Sequence, residues 1–308
     1  METPAVALTR RFEVSVGRFE QLAVAAVAML VVIVATGATV RLTASGLGCE
    51  HWPGCQPGQP LPEQGFHSYV EFGNRIVAFL TIVVTLAAGI GSSLVPRLPR
   101  RVKVLAWATF AGTLGQAPLG AITVYYDLNP LLVLSHFLLS LVVLTAGVFV
   151  AIEAVGLHRG FVRPLVPVWA RWAALVFGAA CVTMVITGTL ATAAGPHPGS
   201  VSVRRLGSFQ PAVYVHVRAT AVFGVGLLVL LAYLWYRRRT AGGLLAATLG
   251  LLGLVLVQMA IGETQYRTHL PWWLVLVHVT VAASVWGAVT ALVTSFFRPV
   301  APLARRRL

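Results

Sequence analysis

Apolar residues fall into eight long runs separated by short polar segments, at roughly 20–40, 70–94, 104–125, 131–154, 172–194, 212–236, 241–262 and 272–296. A helix needs about 20 predominantly apolar residues to cross a bilayer, so the pattern predicts an all-α integral membrane fold with eight transmembrane helices. The stretch before the first run is basic (Arg10, Arg11, Arg18). That run is long and no small-residue cleavage site closes it, so it reads as an uncleaved first helix rather than a signal peptide.

The runs repeat. Gln116-Ala-Pro-Leu-Gly120 and Gln258-Met-Ala-Ile-Gly262 are each followed by a short polar turn and an apolar run holding a histidine, His136 or His278, 142 residues apart. The same offset carries Asn74 onto His216, and Thr36-Gly37-Ala38-Thr39 resembles Thr187-Gly188-Thr189-Leu190. The pattern predicts two tandem four-helix bundles, 1–154 and 172–308, joined by a basic, proline-bearing linker at 155–171. Each half holds an even number of spans, so the halves share one orientation, as parallel repeats do. The first polar loop is longer than its counterpart and contains Cys49, Trp52-Pro53 and Cys55. It reads either as a lid, since insertions on one face of a repeat often carry function, or as an ordinary stapled loop.

Composition removes the soluble alternatives. The 308 residues are 57% hydrophobic and 10% charged, against about 25% charged in a soluble domain. A net charge of +14 invites a nucleic-acid partner, but the charges alternate by loop. Arg10, Arg11 and Arg18, then Arg97 to Lys103, then Arg159, Arg163 and Arg171, then Arg237 to Arg239, then Arg298 and Arg305 to Arg307 lie on one side. The other side holds Arg41, Arg204, Arg205 and Arg267. By the positive-inside rule both termini are cytoplasmic. The basic runs are topology anchors in a multi-pass cell-membrane protein, which meets lipid and no nucleic acid. Cys49 and Cys55 fall on the outer side, where a disulfide persists. Cys181 is a packing residue.

An ionisable residue near the bilayer centre costs roughly 2.5–3.5 kcal/mol on insertion scales and usually faces the bundle interior. Of eight histidines, His51, His67, His197 and His269 lie in or near outer loops and His158 in an inner one; His136, His216 and His278 lie within spans. His216 and His278, near the outer ends of two helices, can present imidazoles from opposite sides to one haem iron, an arrangement suited to electron transfer. The equivalent pair in the first half is Asn74 and His136. A haem there is bound by His136 alone, or by His136 with a loop histidine such as His51 or His67; the alternative is a degenerate half that holds nothing. An open iron position is what oxygen activation requires.

Glu71 and Arg75 stand at i,i+4 around Asn74, either as an intrahelical ion pair or as a carboxylate serving proton transfer beside a reactive centre. The second half has Val213 at the matching place, so no packing rule of the repeat demands the carboxylate. Arg75 and Arg218 suit haem propionates or snorkel to the interface. Gln116 and Gln258 are expected to bond between helices, and Glu263 and Asp127 to be solvated turn residues.

With these residues the chain resembles the haem A synthase family. The resemblance rests on Gly46-Leu47-Gly48-Cys49 through Trp52-Pro53-Gly54-Cys55, on Glu71-x-x-Asn74-Arg75, and on His136, His216 and His278, and it covers nearly the whole chain. It implies oxidation of the C8 methyl of haem O to a formyl group, through successive hydroxylations, giving haem A for cytochrome oxidase. It implies a haem b cofactor held by His216 and His278, a substrate haem on His136 with Glu71 needed for catalysis, and a Cys49–Cys55 disulfide. The implied partners are haem O synthase upstream and cytochrome oxidase assembly factors. The family pattern usually has histidine where this chain has Asn74. That implies either a substrate iron ligated by His136 alone, a branch that tolerates asparagine, or lost activity; the retained Glu71, Arg75, His136 and cysteine loop favour activity. The competing readings are a membrane b-type cytochrome that only passes electrons, and a haem transporter or chaperone.

Overall fold

The computed structural model describes residues 13–297 apart from 50, 52–53, 57, 59–60, 63–64, 161–165, 200–202 and 204. The expected Trp52-Pro53 turn and the terminal arginines lie outside the described residues. Among the described residues eight helices follow in order: α1 (Val16–Leu42), α2 (Phe66–Leu94), α3 (Arg100–Tyr125), α4 (Pro130–Arg159), α5 (Val168–Ala194), α6 (Phe209–Tyr236), α7 (Gly242–Arg267) and α8 (Trp272–Ser295). At 1.5 Å per residue, even the shortest rises about 36 Å, enough to cross a hydrocarbon core about 30 Å thick.

Among the described residues seven of these helices are long and apolar enough to span a membrane, and α3 falls short. Its Gln116, Pro118, glycines and threonines dilute an otherwise apolar surface. It still packs between α2 and α4, so the eighth expected span is present as a helix. Exposed Trp169, Trp172, Trp235 and Tyr236 gather at the end where α1 begins and α8 stops. Tyr69, Tyr125, Tyr126, Tyr214, Trp272 and Trp273 gather at the other end, hereafter the loop end. Two aromatic belts of this kind mark the two faces of a bilayer. The protein is a multi-pass membrane protein.

Local chemistry sets the helix ends. Ser15 caps α1 by accepting from the Arg18 N–H, and Asn129 caps α4 by accepting from the Leu131 N–H, with Pro130 at the first helical position. Gly160 ends α4 at φ 67°, a left-handed conformation that glycine adopts without strain. Residues 155–159 and 168–171 of the expected linker are therefore helical. Buried Thr81, Thr85, Thr109, Thr113 and Thr248 return their hydroxyls to carbonyls one turn earlier, which keeps polar groups satisfied where no water reaches.

Helices α1–α4 form a ring in which each touches its two neighbours, and α5–α8 form a second. Among the described residues α2 and α4 do not approach each other closely, nor do α6 and α8, so each pair is diagonal across its bundle. The bundles meet along α8, which packs against α1 and α4. At that seam the Trp286 indole donates to the Leu141 carbonyl at 3.0 Å and to Thr145 Oγ1 at 2.9 Å. Arg41 ties the loop end together by donating to the His197 and Thr192 carbonyls at 3.0 and 2.9 Å.

Each bundle buries an apolar core away from the loop end. One cluster gathers Phe19, Val95, Val102, Ala106 and Ala154. The other is built on Phe177 stacked on Phe223 at 4.8 Å, with Leu227, Leu234 and Phe296. Asn74, His136, His216 and His278 lie nearer the loop end, outside these clusters, and are half-buried.

Candidate functional site

His216 (α6) and His278 (α8) stand on diagonal helices of the second bundle. His216 Nδ1 lies 3.0 Å from the Met184 carbonyl and 3.4 Å from Thr187 Oγ1. An imidazole that gives its Nδ1–H to a backbone carbonyl leaves Nε2 as a lone-pair donor, the state a metal ligand requires. Among the described residues, His278 Nδ1 is buried without a hydrogen-bond partner, as is His136 Nδ1 in the first bundle. Buried polar atoms are rarely left so.

Glycines back these side chains. A Cβ on Gly188 would meet His216 Cε1 at 2.9 Å, one on Gly262 would meet His278 Cε1 at 3.1 Å, and one on Gly120 would meet His136 Cε1 at 3.5 Å. Each ring is seated against the neighbouring helix where a side chain is missing. The glutamines act as expected between helices: Gln116 Nε2 donates to the His136 carbonyl at 3.3 Å and Gln258 Nε2 to the His278 carbonyl at 2.9 Å. Both hold the backbone of a histidine from the helix before it.

The donor set and its cradle fit a haem. Two imidazoles are the donor type that would hold haem iron, the glycines hold the rings, and the α5–α6 pair touches α7–α8 less than the matching pairs touch in the first bundle. A small cleft lined by Thr187, Leu190, Pro211, Ala212 and Val215 opens beside His216.

In the first bundle, Asn74 Oδ1 accepts from Thr36 Oγ1 at 2.7 Å. One turn toward the loop end, Glu71 is buried. Its Oε1 accepts from Arg75 Nη2 at 2.6 Å and its Oε2 from the Cys49 N–H at 2.9 Å. Arg75 also donates to the carbonyls of His51, at 2.7 Å, and Gly54. The Cys49–Cys55 disulfide closes the loop, and Ser68 Oγ donates to the Gly48 carbonyl at 2.7 Å. Gly48 lies against the His67 backbone, where a Cβ would come within 2.6 Å. The ion pair and the carboxylate beside the bundle are thus one arrangement: Glu71 and Arg75 clip the disulfide loop over the first bundle. Arg75 is committed to that loop. Arg218 is exposed, two residues and about 200° around α6 from His216.

The loop histidines stay away from Asn74. His51 is exposed, and His67 Nδ1 is 2.9 Å from Ser45 Oγ. Glu263 belongs to the last turn of α7, paired with Arg267 at 2.5 Å and exposed, while Asp127 sits in the α3–α4 turn at φ 50°. Cys181 is buried in the second core. The sequence reading passed over the backing role of Gly120, Gly188 and Gly262, although the repeated motifs contain all three. The Met184 carbonyl had no sequence signal, because a backbone acceptor is independent of side-chain identity.

A family model described as cytochrome oxidase assembly protein (COX15-CtaA) matches residues 20–64 and 57–290. Among individual proteins, the chain is 35% identical over 108 residues to "Heme A synthase" of Geobacillus kaustophilus, covering 34% of this chain and 33% of the relative. It is 32% identical over 139 residues to "Heme A synthase" of Symbiobacterium thermophilum, covering 44% and 45%. It is 32% identical over 142 residues to the protein of that name from Bacillus pumilus, covering 44% and 46%. The matched stretches span a third to just under half of those relatives' lengths.

Proposed function

The chain belongs to the COX15-CtaA family of cytochrome oxidase assembly proteins, and on that premise we propose that it is a haem A synthase, oxidising the C8 methyl of haem O to a formyl group. The observation that carries the reading is the pair of diagonal sites: His216 with His278 in one bundle, and Asn74 with His136, overlooked by the buried Glu71, in the other. In this reading the bundles descend from one duplicated unit, 1–154 and 172–308, with both termini cytoplasmic. The second retains haem b and the first takes haem O as substrate, received from haem O synthase; the product passes toward oxidase assembly factors.

Held by His216 and His278, haem b supplies one-electron transfer. The protein's own groups do the rest. Met184 and Thr187 fix the His216 ring, and Gln258 fixes the His278 backbone. His136, seated on Gly120, is the protein ligand to the substrate iron. Glu71 is the base for protons released as the methyl carbon is oxidised. Cys49, Arg75 and the disulfide loop keep its carboxylate in place and hold water from the site. Arg75 stays with the loop carbonyls and Glu71, and Arg218, exposed and on the far side of α6 from His216, is left to the outer rim of the haem b bundle.

The test is the mass of every haem extracted from the purified protein. A haem A synthase contains haem b together with haem O, haem A or an oxidation intermediate; an electron carrier contains haem b alone, and a transporter leaves haem mass unchanged. Glu71→Ala is expected to spare the haem b spectrum and lower haem A formation by roughly 10²-fold or more, the usual scale for a positioned acid–base group. Full turnover in that variant removes Glu71 from the chemistry.

A further inference from the structure

Asn74 occupies in the first bundle the place that His216 occupies in the second. Thr36 Oγ1 bonds Asn74 Oδ1 at 2.7 Å, as Thr187 Oγ1 approaches His216 Nδ1 at 3.4 Å. Gly37 and Gly188 follow those threonines. A Cβ on Gly188 would lie 2.9 Å from the imidazole, whereas one on Gly37 would lie 3.9 Å from Asn74 Oδ1, its nearest neighbour. The same cradle is filled tightly by an imidazole and loosely by a carboxamide. The asparagine side chain is one bond shorter than the path to His Nε2, and its amide nitrogen has no lone pair to give a metal. With Oδ1 engaged by Thr36, the NH₂ group is the free end. Among the described residues no imidazole takes its place: His67 is two turns, about 10 Å, farther along α2 and bonded to Ser45, and His51 is exposed.

Resting on the reading that the first bundle takes haem O on His136, we infer that the other face of the substrate iron stays open, and that the gap between it and Asn74 is a binding site for a diatomic molecule, with the Asn74 amide as its hydrogen-bond donor. The second bundle has no such gap, because His216 fills it. The two irons therefore differ in ligand chemistry: one is saturated and inert to small molecules, the other accepts one.

The probe is carbon monoxide, added to the reduced full-length protein carrying two haems per chain as counted by mass, with haem O supplied where the purified protein retains only one. The expected result is one carbon monoxide bound per chain. Asn74→Leu keeps that stoichiometry and shifts the C–O stretch to higher frequency, because the donor is gone. Asn74→His abolishes binding and adds a second low-spin bis-imidazole signal. Two-haem wild-type protein that binds no carbon monoxide, or Asn74→His protein that binds it as wild type does, overturns the inference while haem A formation leaves the proposed function standing. Failure to take up any second haem overturns both.

Discussion

The two bundles share a plan and differ in how they are closed. In α1–α4 every helix packs firmly on both neighbours, and a disulfide loop is clipped over the loop end by Glu71 and Arg75. In α5–α8 the α5–α6 and α7–α8 pairs stand farther from each other, and two imidazoles replace the asparagine–histidine pair. The contrast separates residence from turnover. Two imidazoles and a looser seam between helix pairs suit a group that stays. One imidazole, an unfilled cradle and a covering loop suit a group that arrives, reacts and leaves.

The harshest way to break this division is to remove one ligand at a time. His216→Ala or His278→Ala is expected to eliminate the low-spin haem b absorption and lower the haem content by one per chain, while the first bundle still retains haem O. His136→Ala is expected to do the reverse, sparing haem b and losing the second haem. Optical spectra and extracted haem masses read both outcomes. A low-spin signal that survives either substitution in the second bundle locates haem b elsewhere.

Much of this was legible in the sequence, and for identifiable reasons. The membrane spans were readable because apolar runs are dictated by the solvent. Their ends moved outward by a few residues where caps and polar turns extend a helix beyond its apolar core, as at Phe66 and Arg159. The α3 helix shows the limit of that signal: its Gln116 and Pro118 make it less apolar than its neighbours, yet they belong to the part that supports His136. The matched motifs pointed to four positions, Asn74, His136, His216 and His278, which the fold sets on diagonal helices. What they left open was which partner each polar group would choose. Arg75 had a carboxylate in its own helix and propionates in prospect; the fold also gave it the His51 and Gly54 carbonyls, which depend on a loop path that no local pattern encodes. The glycines behind the imidazoles were visible but ambiguous, since glycine in a membrane helix serves helix packing generally and only the tertiary fold shows what faces it.

Those glycines sharpen the comparison at a smaller scale. The Cβ added by Gly188→Ala would lie 2.9 Å from His216 Cε1, so the ring must move, and overpacking of this kind costs about 1–3 kcal/mol. Gly262→Ala, at 3.1 Å from His278, is the next most damaging. Gly120→Ala meets His136 at an ordinary 3.5 Å and Gly37→Ala meets Asn74 at 3.9 Å. These two have room, so they are expected to be neutral or to gain the roughly 0.5–1 kcal/mol by which alanine exceeds glycine in a helix. Thermal midpoints and haem b retention across the four variants should follow that order. Equal losses at Gly37 and Gly188 would show that the two cradles are filled alike.

The smallest effect belongs to the seam that holds the bundles together. Trp286→Phe keeps most of the ring in place and removes one N–H, which now bonds the Leu141 carbonyl and Thr145 Oγ1. Neither acceptor is stranded by the change, because Thr145 Oγ1 still donates to the Leu141 carbonyl at 2.9 Å. Hydrogen bonds between membrane helices average about 0.6 kcal/mol in double-mutant cycles, so the expected loss is about 0.5–1 kcal/mol, read as a small fall in the midpoint of detergent-induced unfolding. The haem b spectrum should not change, since Trp286 lies two turns along α8 from His278. A change in that spectrum, or a loss above about 2 kcal/mol, would mean that the seam shapes the second site instead of merely joining two bundles that work separately.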